Sequence, residues 1–238
     1  MIHLFSIEYL TEFISLSVME IVLGIDNIIF ISIMVERVPL EAREKTRKLG
    51  IFLALILRII LLFSISWIMS LKDPLFTVIG KTFSGRDLIL FGGGLFLLTK
   101  STFEIHHKVE GSPEENIQQL TGVASQFILL QILMLDIVFS LDSVITAVGM
   151  ANQIAIMVAA MTIAMIVMLF SAKSIGKFVE ANPTIKILAL SFLLLIGVML
   201  VAESMGQHFG KGYIYFAMAF SLTVEMLNMR YRKKHLKN

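Results

Sequence analysis

Seven mostly apolar runs, at about 9–34, 50–70, 87–104, 123–150, 153–172, 185–203 and 212–229, leave this chain few ways to fold. Each approaches the roughly 20 residues that carry an α-helix across bilayer hydrocarbon. A segment in lipid must satisfy its own backbone polar groups, so these runs are expected to be helical. Only 16% of the residues are charged, where a soluble domain carries about 25%. Lipid therefore has to replace water around much of the surface. The expected fold is an all-α membrane protein with seven transmembrane helices, forming one transmembrane domain over residues 1–238. Lys72-Asp73-Pro74, Gly111-Ser112-Pro113-Glu114-Glu115 and Asn182-Pro183 separate runs, and the longest polar stretch, 104–121, reads as a loop. No soluble domain is expected. Residues 1–11 hold Glu8 but no Lys or Arg, so the first run should stay in place rather than be removed as a signal peptide.

Loop charges set the expected orientation. The first loop holds Arg37, Arg43, Lys45, Arg47 and Lys48, and the third holds Lys108 with Lys100 at its edge. Lys173, Lys177 and Lys186 mark the fifth, and Arg230, Arg232, Lys233, Lys234 and Lys237 the tail. These segments carry fifteen of the twenty basic residues, which places them in the cytoplasm and the N-terminus outside. A formal charge of +2 gives no reason to expect a nucleic-acid partner. Without cysteine, disulfides and thiolate metal sites are excluded.

The chain also repeats itself. Residues 20–29, Glu-Ile-Val-Leu-Gly-Ile-Asp-Asn-Ile-Ile, align with 136–145, Asp-Ile-Val-Phe-Ser-Leu-Asp-Ser-Val-Ile, acid matching acid and small matching small. A weaker match sets 89–104 against 188–203. Runs one to three (about 9–104) thus read as one repeat, runs four to six (about 123–203) as a second, and 212–229 as an extra helix. Three spans per copy invert the second relative to the first. Many secondary transporters are built this way, with their site where the copies meet.

Glu20, Asp26, Asp136 and Asp142 lie inside apolar runs. Each carboxylate at the bilayer centre costs about 2.5–3.5 kcal/mol on insertion scales. They must be protonated, hydrated in a cavity or neutralised by a cation; the plainer reading is a set of structural acids hydrogen-bonded across a helix interface. On a straight helix Glu20 and Asp26 would diverge by roughly 120°. A break at Gly24, and its counterpart Ser140, could turn both acids of each pair inward and free backbone carbonyls as ligands. Asn27 and Ser143 would add neutral oxygens. Such an oxygen set suits a hard cation such as Mn²⁺, Mg²⁺ or Ca²⁺. The histidines, His106-His107 among them, fall at ends or in loops, so the usual ligands for zinc or copper are missing.

Arg58 is the one basic residue well inside a run, either a counter-ion to the acids or a side chain that snorkels to the interface. Glu104 and Glu203 close matching runs and could act as gate residues or merely end helices. Glu225 and Asn228 share a helical face and could line an exit path or form an interfacial polar patch. Gly92-Gly93-Gly94 suits close helix packing. No catalytic set of residues is present, so an enzyme is not expected.

Gly24-Ile25-Asp26-Asn27 and Ser140-Leu141-Asp142-Ser143, with Asp136 upstream, resemble the paired signature of the TerC family of integral membrane proteins. The likeness covers nearly the whole chain, including Gly212-Tyr213-Ile214-Tyr215-Phe216-Ala217-Met218, and is greatest for a short branch in the bacterial inner membrane. It implies inverted three-helix repeats. It further implies a role in metal handling: the family name is tied to tellurium resistance, and several members are understood as manganese exporters. Carried over, Asp26 and Asp142 are the motif acids. The expected function is export of a divalent cation, with Mn²⁺ as substrate and no resident cofactor, by alternating access of the repeats. The alternative is a non-transporting membrane partner linked to metal or tellurium resistance.

Overall fold

The computed structural model describes residues 7–78, 80–110, 123–150, 153–207 and 210–235. Its elements, in chain order, are α1 (Ile7–Val35), α2 (Leu40–Phe63), α3 (Ile65–Ser70), β1 (Pro74–Val78), β2 (Lys81–Ser84), α4 (Gly85–Glu110), α5 (Val123–Met150), α6 (Ile154–Ala181), α7 (Pro183–Ser204) and α8 (Lys211–His235). Among the described residues, five segments are long and apolar enough to cross a membrane: Tyr9–Val35, Gly85–Glu110, Ser125–Ile145, Ile154–Ala181 and Pro183–Ser204. Those on α1, α5, α6 and α7 are the most apolar, and α4 qualifies despite a charged last turn.

The expected span at 50–70 is two helices. The Ser64 amide donates to the carbonyls of both Ile60 and Leu61, ending α2, and α3 starts afresh. The first turns of α2 carry Glu41, Arg43, Glu44, Lys45, Arg47 and Lys48, so only residues 49–63 remain for apolar burial. The all-helical expectation also needs correcting, because β1 and β2 form an antiparallel hairpin between α3 and α4. Gly80 turns it with φ +75°, and Phe76 stacks on Phe83 with centroids 5.6 Å apart. Ser84 then opens α4: its amide and hydroxyl both donate to the Asp87 carboxylate, at 2.9 and 2.8 Å. This is a Ser-x-x-acid box at a helix start.

Residues 104–110, expected in a loop, continue α4, and His106 there contacts Glu110 at 3.1 Å. Glu-His pairs one turn apart favour helix, and hydropathy alone does not register them. The Gly111–Glu115 turn lies outside the described residues. Asn182-Pro183 separates α6 from α7 as expected, with proline at the first turn, where its missing N–H costs nothing.

Helices pack in crossed pairs: α4 on α7, α1 on α6, and α2 on both α5 and α6. A β-carbon on Gly24 would overlap Met168, so α1 and α6 touch closely there. Ion pairs bind the helix ends. Glu36 meets Lys186, Arg43 bonds Glu180 at 3.0 Å, and Arg37 bonds Glu104 at 2.5 Å. At the opposite ends of α4 and α7, Arg86 bonds Glu203 at 2.5 Å. The Glu44 carboxyl, bonded by Lys48 and facing Lys173, is held below the usual carboxylate range.

Candidate functional site

Buried positions on α2 run Gly50, Ile51, Ala54, Arg58, Leu61 and Leu62, a helical stripe with one charge in its middle. Arg58 therefore faces the bundle and not the lipid, and is only 2% exposed. Opposite it, α1 presents Glu20 and α5 presents Asp136, at 1% and 5% exposure. Arg58 Nη1 donates to Glu20 Oε2 at 2.8 Å, and Nη2 donates to Asp136 Oδ1 at 2.8 Å. Its Nε reaches the same carboxylate at 3.2 and 3.4 Å. The Ser140 hydroxyl donates to Asp136 Oδ2 at 3.1 Å. One guanidinium thus holds an acid from each copy of the repeated motif, and the fork geometry suits arginine and not lysine. Arg58 is buried and ion-paired with both acids.

Gly24 and Ser140 do not break their helices. Both α1 and α5 run unbroken through these positions, so the backbone carbonyls stay in the helical ladder and are not freed as ligands. Each position has another use: Gly24 lets α6 approach, and Ser140 bonds Asp136 one turn back. Ser143 donates to the Ser140 carbonyl at 3.4 Å and lies beside Glu20.

A cavity of about 60 Å³ adjoins Arg58. Asn27, Arg58, Ser143 and Tyr215 supply its polar lining, and Met199 and Ile214 are among its apolar walls. The structure thus brings Asn27 and Ser143, the neutral polar residues that follow the motif acids, to one chamber. The side chains of the motif acids Asp26 and Asp142 lie outside the described residues. Among the described residues, no three His, Asp or Glu side chains gather as a metal cluster.

The remaining polar positions are dispersed. Glu104 and Glu203 close ion pairs with Arg37 and Arg86, while Glu225 and Asn228 sit on α8. The chamber's α8 wall was missed by sequence reasoning: Ile214 and Tyr215 lie outside the two matched sequence segments, and tyrosines near a helix start look like interfacial anchors.

Long apolar helices around a buried cluster of one arginine and two acids define a helical integral membrane protein. The chain belongs to the integral membrane protein TerC family, whose model matches residues 5–237. A UPF0053 protein of Haemophilus influenzae is 54% identical over 220 residues, covering 92% of this chain and 93% of that protein. The UPF0053 inner membrane protein YgdQ of Escherichia coli is 51% identical over 221 residues, 93% of this chain and 92% of its own. The longer UPF0053 inner membrane protein YoaE of Escherichia coli is 48% identical over 224 residues, which cover 94% of this chain and 43% of YoaE. No solved structure matches the chain.

Proposed function

We propose that this protein is a secondary transporter that exports a hard divalent cation, with Mn²⁺ as substrate, by alternating access of two inverted repeats. The observation that carries this reading is the meeting of Glu20 and Asp136, equivalent residues of the repeated motif, at Arg58 beside a chamber lined by Asn27 and Ser143. In this reading Asp26 and Asp142 bind the ion, and the Glu20–Arg58–Asp136 cluster orients the helices that carry them. Seven spans, with α2–α3 as the second and α8 as the last, put the C-terminus in the cytoplasm.

Packing supports the repeat. Exchanging α1 with α5, α2 with α6 and α4 with α7 turns the α1–α6 pair into α5–α2, and it maps α4–α7, α1–α5 and α2–α6 onto themselves; all of these pairs are in contact. Inverted repeats related by a two-fold axis produce such a pattern.

The test is Mn²⁺ flux into liposomes holding the purified protein and a metal-sensitive dye. Flux that falls about tenfold or more in Asp26→Asn and Asp142→Asn supports the reading. A wild-type rate in either variant removes that residue from the ligand set. The ion pairs of Glu20 and Asp136 with Arg58 also favour a second reading, a non-transporting membrane partner in which the cluster is a structural junction. Correctly inserted wild-type protein with no flux for any divalent ion would select it.

A further inference from the structure

The chamber beside Arg58 is closed by a helix from outside the duplicated halves. α8 lends it Ile214 and Tyr215, and packs chiefly against α7. Met218 is the buried apolar side chain among its described residues, whereas Tyr213 and Phe216 are 84% and 73% exposed. Among the described residues α8 is mostly exposed, and a wall so little buried opens at lower cost than the core helices. The volume, about 60 Å³ and partly open, accepts a few water molecules or a partly hydrated small ion. It falls well short of the roughly 300 Å³ at which pockets for organic ligands begin.

We propose that Tyr215 sets the size limit of the chamber, and that α8 is the wall that must shift before anything larger than a small cation enters. The proposal rests on the transport reading for its biological meaning, yet its geometry can be tested without flux. Arg58 is occupied by two carboxylates, so its guanidinium does not divide the space further. Asn27 and Ser143 stand on fixed core helices. Tyr215 is thus the large polar-tipped group on the least buried wall, and the tyrosine ring is what a bulky visitor would have to displace.

The native chain has no cysteine, so Ser143→Cys provides a single reporter inside the chamber. In the full-length protein in nanodiscs, its labelling by methyl methanethiosulfonate is compared with labelling by the bulkier trimethylammonium-ethyl reagent. With Tyr215 intact, the small reagent should react and the bulky one should be slower by about tenfold or more. Tyr215→Ala should remove most of that difference, and Tyr215→Phe, which keeps the ring, should preserve it. Phe216→Ala, on an exposed neighbouring position, should leave both rates unchanged. Equal rates with Tyr215 intact, no change in Tyr215→Ala, or an equal effect of Phe216→Ala would each overturn the proposal. So would a reporter that the small reagent fails to reach even in Tyr215→Ala. Loss of the transport reading would show as absent flux with the labelling pattern intact; loss of this inference would show in labelling whatever the flux.

Discussion

Gly94 and Gly197 face each other where α4 crosses α7. A β-carbon on Gly94 would lie 2.8 Å from the Gly197 carbonyl oxygen, and one on Gly197 would lie 3.1 Å from the Gly94 carbonyl oxygen. Lipid offers helices no hydrophobic reason to associate, so close backbone contact of this kind is what holds such a pair. Gly94→Leu or Gly197→Leu should push the helices apart and cost about 1–3 kcal/mol. Thermal unfolding in detergent, followed by tryptophan fluorescence or aggregation, measures it. A midpoint equal to wild type would show that the crossing is not as tight as drawn.

Removing Arg58 should be far more damaging than its solitary position in the sequence suggests. Arg58→Leu strands two buried carboxylates, and breaking a buried ion pair costs about 3–5 kcal/mol. Arg58→Lys should recover only part of this, since a single ammonium lacks the fork that reaches both acids. The triple replacement Glu20→Leu, Arg58→Leu, Asp136→Leu should regain most of the lost stability because no unpaired charge remains. Comparing melting midpoints across the three variants decides the matter; a triple variant no better than Arg58→Leu would be against it.

At the helix ends, Arg43 should matter more than the partner with which it forms an ion pair. Its guanidinium bonds Glu180 and also donates to the backbone carbonyls of Glu36, at 2.5 Å, and Val38, at 2.8 Å. Arg43→Ala should therefore cost about 1–3 kcal/mol by leaving carbonyls unsatisfied. Glu180→Gln should cost less than about 1 kcal/mol, since the pair is solvent-exposed. Equal losses in a denaturation series would contradict the difference in roles.

Gly24→Val should disturb the α1–α6 contact by driving a branched side chain into Met168. Combining it with Met168→Ala should restore much of the loss, because the obstacle is the end of a flexible side chain and not backbone. A strictly additive double variant in a mutant cycle would remove Met168 as the cause.

The helical framework was legible where lipid imposes length and apolarity, as in 153–172 and 185–203. What hydropathy could not register was everything set by polar local chemistry. The α4 extension through His106 and Glu110, the stop at Ser64 and the hairpin around Gly80 are examples. The acids of the candidate site stood out because a charge in lipid demands an explanation. Their partner was only one of two possibilities for Arg58, and the stripe from Gly50 to Leu62 decides between them by placing that residue on the packed face. The expected break at Gly24 failed for a related reason: spacing along one helix says nothing about a neighbour such as Met168 that has its own use for a missing side chain. Tyr215 stood out only as part of the family-like run 212–218, since its place in the chamber depends on how α8 folds back over the bundle.

The proposed pair of repeats is also lopsided. Two matched acids share one guanidinium, and α6, the counterpart of α2 under the exchange, carries no arginine in its length. If the halves rock, they cannot trade places as equals, because the positive charge always travels with the first. The two end states of such a motion would differ in energy even with nothing bound, giving a transporter of the proposed kind a built-in resting posture.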